Sequence, residues 1–220
     1  MEPSPGWVKA LCEAHRERPD DAVVGGPIAF PRPGEKPTRL EWADYLSEYG
    51  EQIPAADSRS QGLSANSSPE KLSGANCSYK RWALDACEDL ISEGAWETAI
   101  HQRLAGQGFG LSRAPGAYVC YYKPGHWREL IDQRFHYGRD HGAERLREAG
   151  WARRLAQVSA APLVPWLLLG RLWRRAPAGS DIRGQVLAAA GWLLALYGAW
   201  ALGEAVGAWF APDREEKHVF

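Results

Sequence analysis

The chain has 220 residues, with 26 Lys and Arg against 27 Asp and Glu, for a formal net charge of −1. Near-neutrality excludes a nucleic-acid surface as the main business, since phosphate binding needs a strong basic excess. Cys12, Cys77, Cys87 and Cys120 show no C-x-x-C or other ligand spacing, which excludes a zinc framework and points to reduced thiols.

In chain order, the N-terminal stretch MEPSPGWVKALCEAHRERPDD lacks an apolar run behind a basic start and does not read as a signal peptide. Residues 7–18 predict a short helix with Trp7 or Val8, Leu11 and Cys12 on one face. AVVGGPIAF (22–30) reads as one buried strand, PRPGEKP as loop, and RLEWADYLSEYG (39–50) as a helix with Trp42, Leu46 and Tyr49 one turn apart. Residues 51–71 are polar and small, and predict a loop. KRWALDACEDLIS (80–92) predicts one helix with Leu84, Cys87, Leu90 and Ile91 inward. WETAIHQRLAGQG (96–108) predicts another with Trp96, Ile100 and Leu104 inward, ended by Gly106 or Gly108. GLSRAPGAYVCYY supplies one or two strands.

The second half changes character: six of the 11 tryptophans lie between Trp151 and Trp209. Residues 126–154 combine an apolar stripe (Trp127, Leu130, Ile131, Phe135) with many arginines, the composition of an interfacial amphipathic helix. Residues 186–211 contain a single charged residue, Glu204, and are long enough to cross a bilayer. Their glycines and alanines suit close helix packing in lipid, and Trp192 and Trp209 stand near the ends. The stretch 155–170 is shorter and carries Pro162 and Pro165; it either spans or forms a re-entrant or interfacial piece. Arg171, Arg174, Arg175 and Arg183 lie between the two, the charge that favours a cytoplasmic loop.

Glu97 raises the chemical question. A carboxylate opening a helix is favoured by the helix dipole alone, yet the same position suits a base at the mouth of a cleft. The succession PSPGW, AVVGGPI, GANCSYKR, WETAIHQRLAGQGFGLSRAP and QRFHYGR, followed by a hydrophobic tail, resembles the C-terminal, acceptor-side half of a family 2 glycosyltransferase. Gly74, Asn76 and Arg81 match a G-x-N-x-x-x-x-R element approximately. Glu97, Arg103, Leu104 and Gly108 match an acid-led E-x-x-x-x-x-R-L-x-x-x-G helix. The sequence departs from the family where Trp96 replaces a second acid and Tyr121 stands near a common histidine position.

The resemblance implies an α/β fold: a partial GT-A-like acceptor domain over residues 1–125, with few strands and flanking helices. Basic amphipathic helices (126–154), hydrophobic membrane segments (155–211) and a polar tail (212–220) follow. It implies transfer of a sugar from a nucleotide-sugar donor to a glycan or lipid acceptor with inversion, with Glu97 as general base. Gly74, Asn76, Trp96, Arg103, Gln133 and Arg139 are the implied substrate-binding residues. The family's nucleotide-binding half, with its acidic motif for Mg or Mn, has no counterpart in these residues. No metal site or cofactor is therefore expected here, although His136 with Asp140, and Glu97 with His101, have helical ligand spacing. The expected location is the cytoplasmic membrane, with the soluble part in the cytoplasm. The competing reading is a non-catalytic membrane-anchored module, or a fragment, that binds a separate donor-binding chain.

Overall fold

The computed structural model describes residues 1–32, 34–50, 72–123, 125–146 and 149–210. The loop expected at 51–71 and the polar tail lie outside them. In chain order the elements are β1 (Glu2–Pro3), α1 (Trp7–Glu17), β2 (Asp21–Gly25), β3 (Ile28–Ala29), α2 (Arg39–Tyr49), β4 (Cys77–Tyr79), α3 (Arg81–Asp85), α4 (Glu88–Ser92) and α5 (Glu97–Gly106). Then come β5 (Gly110–Arg113), β6 (Val119–Cys120), α6 (Trp127–Arg145), α7 (Trp151–Ala160), α8 (Val164–Arg175), α9 (Asp181–Ala188) and α10 (Ala190–Trp209). The protein is mixed α/β, and it divides into two compact units: Met1–Lys36 with Glu51–Lys123, and Pro37–Gly50 with Pro124–Phe220.

The first unit holds both sheets. One has the order β4-β2-β5, with β2 antiparallel to β4 and parallel to β5; the other has the order β1-β6-β3. Alternation along β2 sends neighbouring valines to opposite faces. Val23 joins Leu72, Ala83, Cys87, Ile100, Leu104 and Leu111 beneath α3 and α5, whereas Val24 joins Leu11, Ala14, Ala114 and Ala117 beneath α1. The strand expected over 22–30 is therefore two, which break at Gly26 and Pro27 and enter different sheets. A Cβ at Gly26 would lie 1.7 Å from the Ala117 carbonyl oxygen, so only glycine fits where the chain changes sheets.

Other helices depart from their periodicity. The single helix expected over 80–92 is two, α3 and α4, interrupted around Ala86 and Cys87. Ala83 and Cys87 are buried, but Ile91 is exposed, as are Val8, Cys12 and Trp96. The stripe of α1 runs instead through half-buried Trp7 and Ala10 to buried Leu11 and Ala14.

The second unit is helical. Thr38 opens α2 with a reciprocal capping box to Glu41. The helices α6 and α10 lie parallel and interlock through glycines. Cβ atoms at Gly138, Gly142, Gly203 and Gly207 would each stand about 2 Å from a backbone oxygen of the opposite helix (Trp200, Glu204, Phe135 and Arg139 respectively). Arg145 donates to the buried Glu204 carboxylate at 2.9 Å, closing this seam. On another face of α6, buried Arg134 reaches Asp44 and Glu48 of α2 at 3.3 and 3.1 Å.

The stretch 155–170, expected to be broken by its prolines, stays helical within a continuous run, Trp151–Arg175. Pro162 sits in a 3₁₀ turn and Pro165 in the first turn of α8, where a missing N–H costs no internal hydrogen bond. This run is one helix long and apolar enough to cross a membrane among the described residues. Asp181–Ala188 and Ala190–Trp209 reach that criterion only when taken together, and they are bent by 67°.

Candidate active site

Five of the residues singled out in the sequence, Gly74, Asn76, Trp96, Glu97 and Arg103, fall in the first unit. A short 3₁₀ turn, Gly74–Asn76, leads into β4, and the Ser73 hydroxyl accepts the Ala75 N–H to begin it. Glu97 is the first residue of α5. Its Oε1 accepts a 3.3 Å hydrogen bond from the Gly74 N–H. The contact is close enough that a Cβ at Gly74 would lie 2.8 Å from the Glu97 carboxyl carbon. The two motif elements thus meet in space, with the half-buried carboxylate laid across an exposed glycine.

The carboxylate has a definite environment. The Cys77 thiol contacts the Gly74 carbonyl oxygen at 3.7 Å. The Tyr79 hydroxyl lies 2.7 Å from Nε2 of the fully buried His101, and the two rings stack with centroids 5.7 Å apart. His101 is one turn below Glu97 on α5. Burial raises the Tyr79 phenol far above its ordinary range and also raises the Cys77 thiol, with negative Glu97 pushing each the same way. Both groups therefore stay protonated and neutral beside the carboxylate at neutral pH.

Asn76 has a different job from the expected one. Its amide nitrogen donates to the carbonyls of Pro27 and Ala117 at 3.1 and 2.9 Å, and its oxygen accepts the Trp7 indole N–H at 2.9 Å. Both amide protons are used inside the protein and the side chain is buried. Asn76 consequently fixes the turn that carries Gly74 rather than offering hydrogen bonds to a sugar.

Arg103 is also engaged. Its Nη1 meets both Asp89 carboxylate oxygens at 2.7 Å, which ties α5 to α4 and holds Asp89 below the usual carboxylate range. Arg81 pairs with Asp85 on its own helix. Trp96, expected to pack inward, stands at the N-cap position of α5 with 44% of its surface exposed.

Gln133 and Arg139 belong to the second unit. There Gln133 donates to the Tyr137 hydroxyl at 2.8 Å, and Arg139 meets Asp140 at 3.3 Å. His136 pairs with Asp132, one turn back. Among the described residues no three of His, Cys, Asp and Glu come together as metal ligands.

The sequence missed the cluster that Cys77 and Tyr79 of β4 form with His101 of α5. Its only signal was the four-residue step from Glu97 to His101, which fits a metal pair as well as it fits a packed histidine. No family model, no curated protein and no solved structure matches this chain.

Proposed function

We propose that the first unit supplies the acceptor side of a nucleotide-sugar transfer, with Glu97 as the general base. The observation that carries the reading is the meeting of Gly74 and Glu97. A peptide N–H holds one carboxylate oxygen at a helix start, on a turn whose glycine leaves the approach open. In this reading the second carboxylate oxygen takes the proton of an acceptor hydroxyl. The freed oxygen attacks the anomeric carbon of the donor sugar while the bond from that carbon to the diphosphate breaks. The nucleoside diphosphate leaves with the electron pair, and the anomeric centre inverts. Trp96 offers a flat apolar surface for a sugar ring.

The donor-binding part, by resemblance, is contributed by residues other than these. Sugar transfer is therefore assayed in membranes from the native cells carrying the chain or its variants, using a panel of nucleotide sugars. Glu97→Gln is expected to lower kcat about 10²- to 10⁴-fold, the usual contribution of a positioned base, with a smaller effect on KM. Unchanged turnover would remove Glu97 from this role. Absence of transfer with every donor would favour a non-catalytic, membrane-anchored module.

A further inference from the structure

We propose that the continuous helix formed by α7 and α8 is an in-plane docking surface for anionic phospholipid, lying on one leaflet rather than crossing the bilayer. Its apolar side chains face outward. Trp151 and Leu155 lie one turn apart on α7, and Leu163, Trp166 and Leu167 lie within one turn at the start of α8; Trp166 and Leu167 are each more than 60% exposed. The opposite side of α8 buries Pro165 and Leu172 within its own unit. Residues 149–180 contain five arginines (153, 154, 171, 174 and 175) and no Asp or Glu. An outward apolar face flanked by arginines alone is complementary to negatively charged headgroups over acyl chains.

Two observations oppose a span. The uncharged stretch between Arg154 and Arg171 has 16 residues, ~24 Å of helix against a hydrocarbon core of ~30 Å. Further, α10 packs beside α7 and α8 and is locked to α6 by backbone-to-glycine contacts. Carrying α7 and α8 across the bilayer would draw α6 with them. That helix holds Arg128, Asp132, Arg134, Arg139, Asp140 and Arg145, among others, and such charges are costly in hydrocarbon. Resting on the surface leaves α6 in water and puts the tryptophans at headgroup depth, where indole is favoured.

The proposal does not depend on sugar transfer, and its test measures none. The full chain is synthesised in the presence of vesicles and floated on a gradient. Vesicles of phosphatidylcholine with 30% phosphatidylglycerol are expected to bind it at least ~10-fold more strongly than phosphatidylcholine alone, and alkaline carbonate to release it. Arg153→Gln, Arg171→Gln and Arg175→Gln together should remove most of that preference, and Trp166→Ser with Leu167→Ser should weaken binding to both vesicle types, with circular dichroism unchanged. Equal binding to neutral and anionic vesicles, no binding, or resistance to carbonate in the wild-type chain would each overturn the proposal, whatever the variants do.

Discussion

The two units fix their backbones by opposite means. In the first, a polar side chain does it: one buried amide, Asn76, binds two carbonyls and an indole, and so sets the turn that presents Gly74 to Glu97. In the second, the absence of side chains does it: four glycines let α6 and α10 approach until backbone meets backbone. The contrast teaches where each is vulnerable. The turn is most sensitive to the loss of its hydrogen bonds, whereas the helix pair is most sensitive to added volume.

The largest expected effect is therefore in the second unit. Gly142→Leu or Gly203→Leu places a side chain where a backbone oxygen already lies about 2 Å from the Cβ position. Neither helix can yield without separating from the other, so the loss should be about 3 kcal/mol or more, read as a collapse of the cooperative unfolding transition in urea. Arg134→Met comes next, because it removes the guanidinium paired with the buried Asp44 carboxylate and with Glu48. A broken buried pair costs about 3–5 kcal/mol, and Asp44→Asn in the same chain should restore part of the loss.

In the first unit, Asn76→Ala strands the Trp7 N–H and the Ala117 carbonyl, whereas the Pro27 carbonyl keeps the Val119 N–H. The substitution should cost about 2–3 kcal/mol by the desolvation of unpaired groups, measured by the same denaturant titration. Asn76→Asp retains an acceptor for Trp7 but no donors for Pro27 and Ala117, and should be no better. If Asn76→Ala were neutral, the turn would be held by something other than the amide.

The smallest effect is on pH dependence. Burial, helped by Lys80, lowers the His15 pKa below its ordinary 6.5. The unfolded chain thus takes up a proton at a higher pH than the folded one. Stability contributed by neutral His15 is full above pH 6.5 and declines as pH falls through that value toward the lower folded pKa. His15→Gln should flatten this part of the curve of unfolding midpoint against pH, leaving the region above pH 7 nearly level.

The same contrast explains what the sequence disclosed. Leu11, Leu46, Ile100 and Leu104 pack by their side chains, so helical periodicity found them. Trp96 and Ile91 kept the right period but are exposed at the ends of short helices. The split of 22–30 depends on Asn76 and Ala117, many positions away, and no local pattern records such a contact. The glycines of the last helix did signal close approach, but they pack against the charged α6, a partner that composition does not name. Pro162 and Pro165 read as breakers because their tolerance depends on falling within a 3₁₀ turn and a first helical turn. At the candidate site, the resemblance singled out Gly74 and Glu97, which the fold brings together. The engagement of Asn76 and Arg103 by neighbouring protein groups was not legible, because hydrogen-bond partners are settled only by the fold.

The most direct measurement is a double-mutant cycle on sugar transfer with Glu97→Gln, Gly74→Ala and the two combined. Gly74→Ala should displace the carboxylate and lower kcat about 10-fold or more without changing the unfolding midpoint, and it should add nothing once Glu97 is already glutamine. Full activity in Glu97→Gln, or losses that simply multiply in the combined variant, would contradict the account.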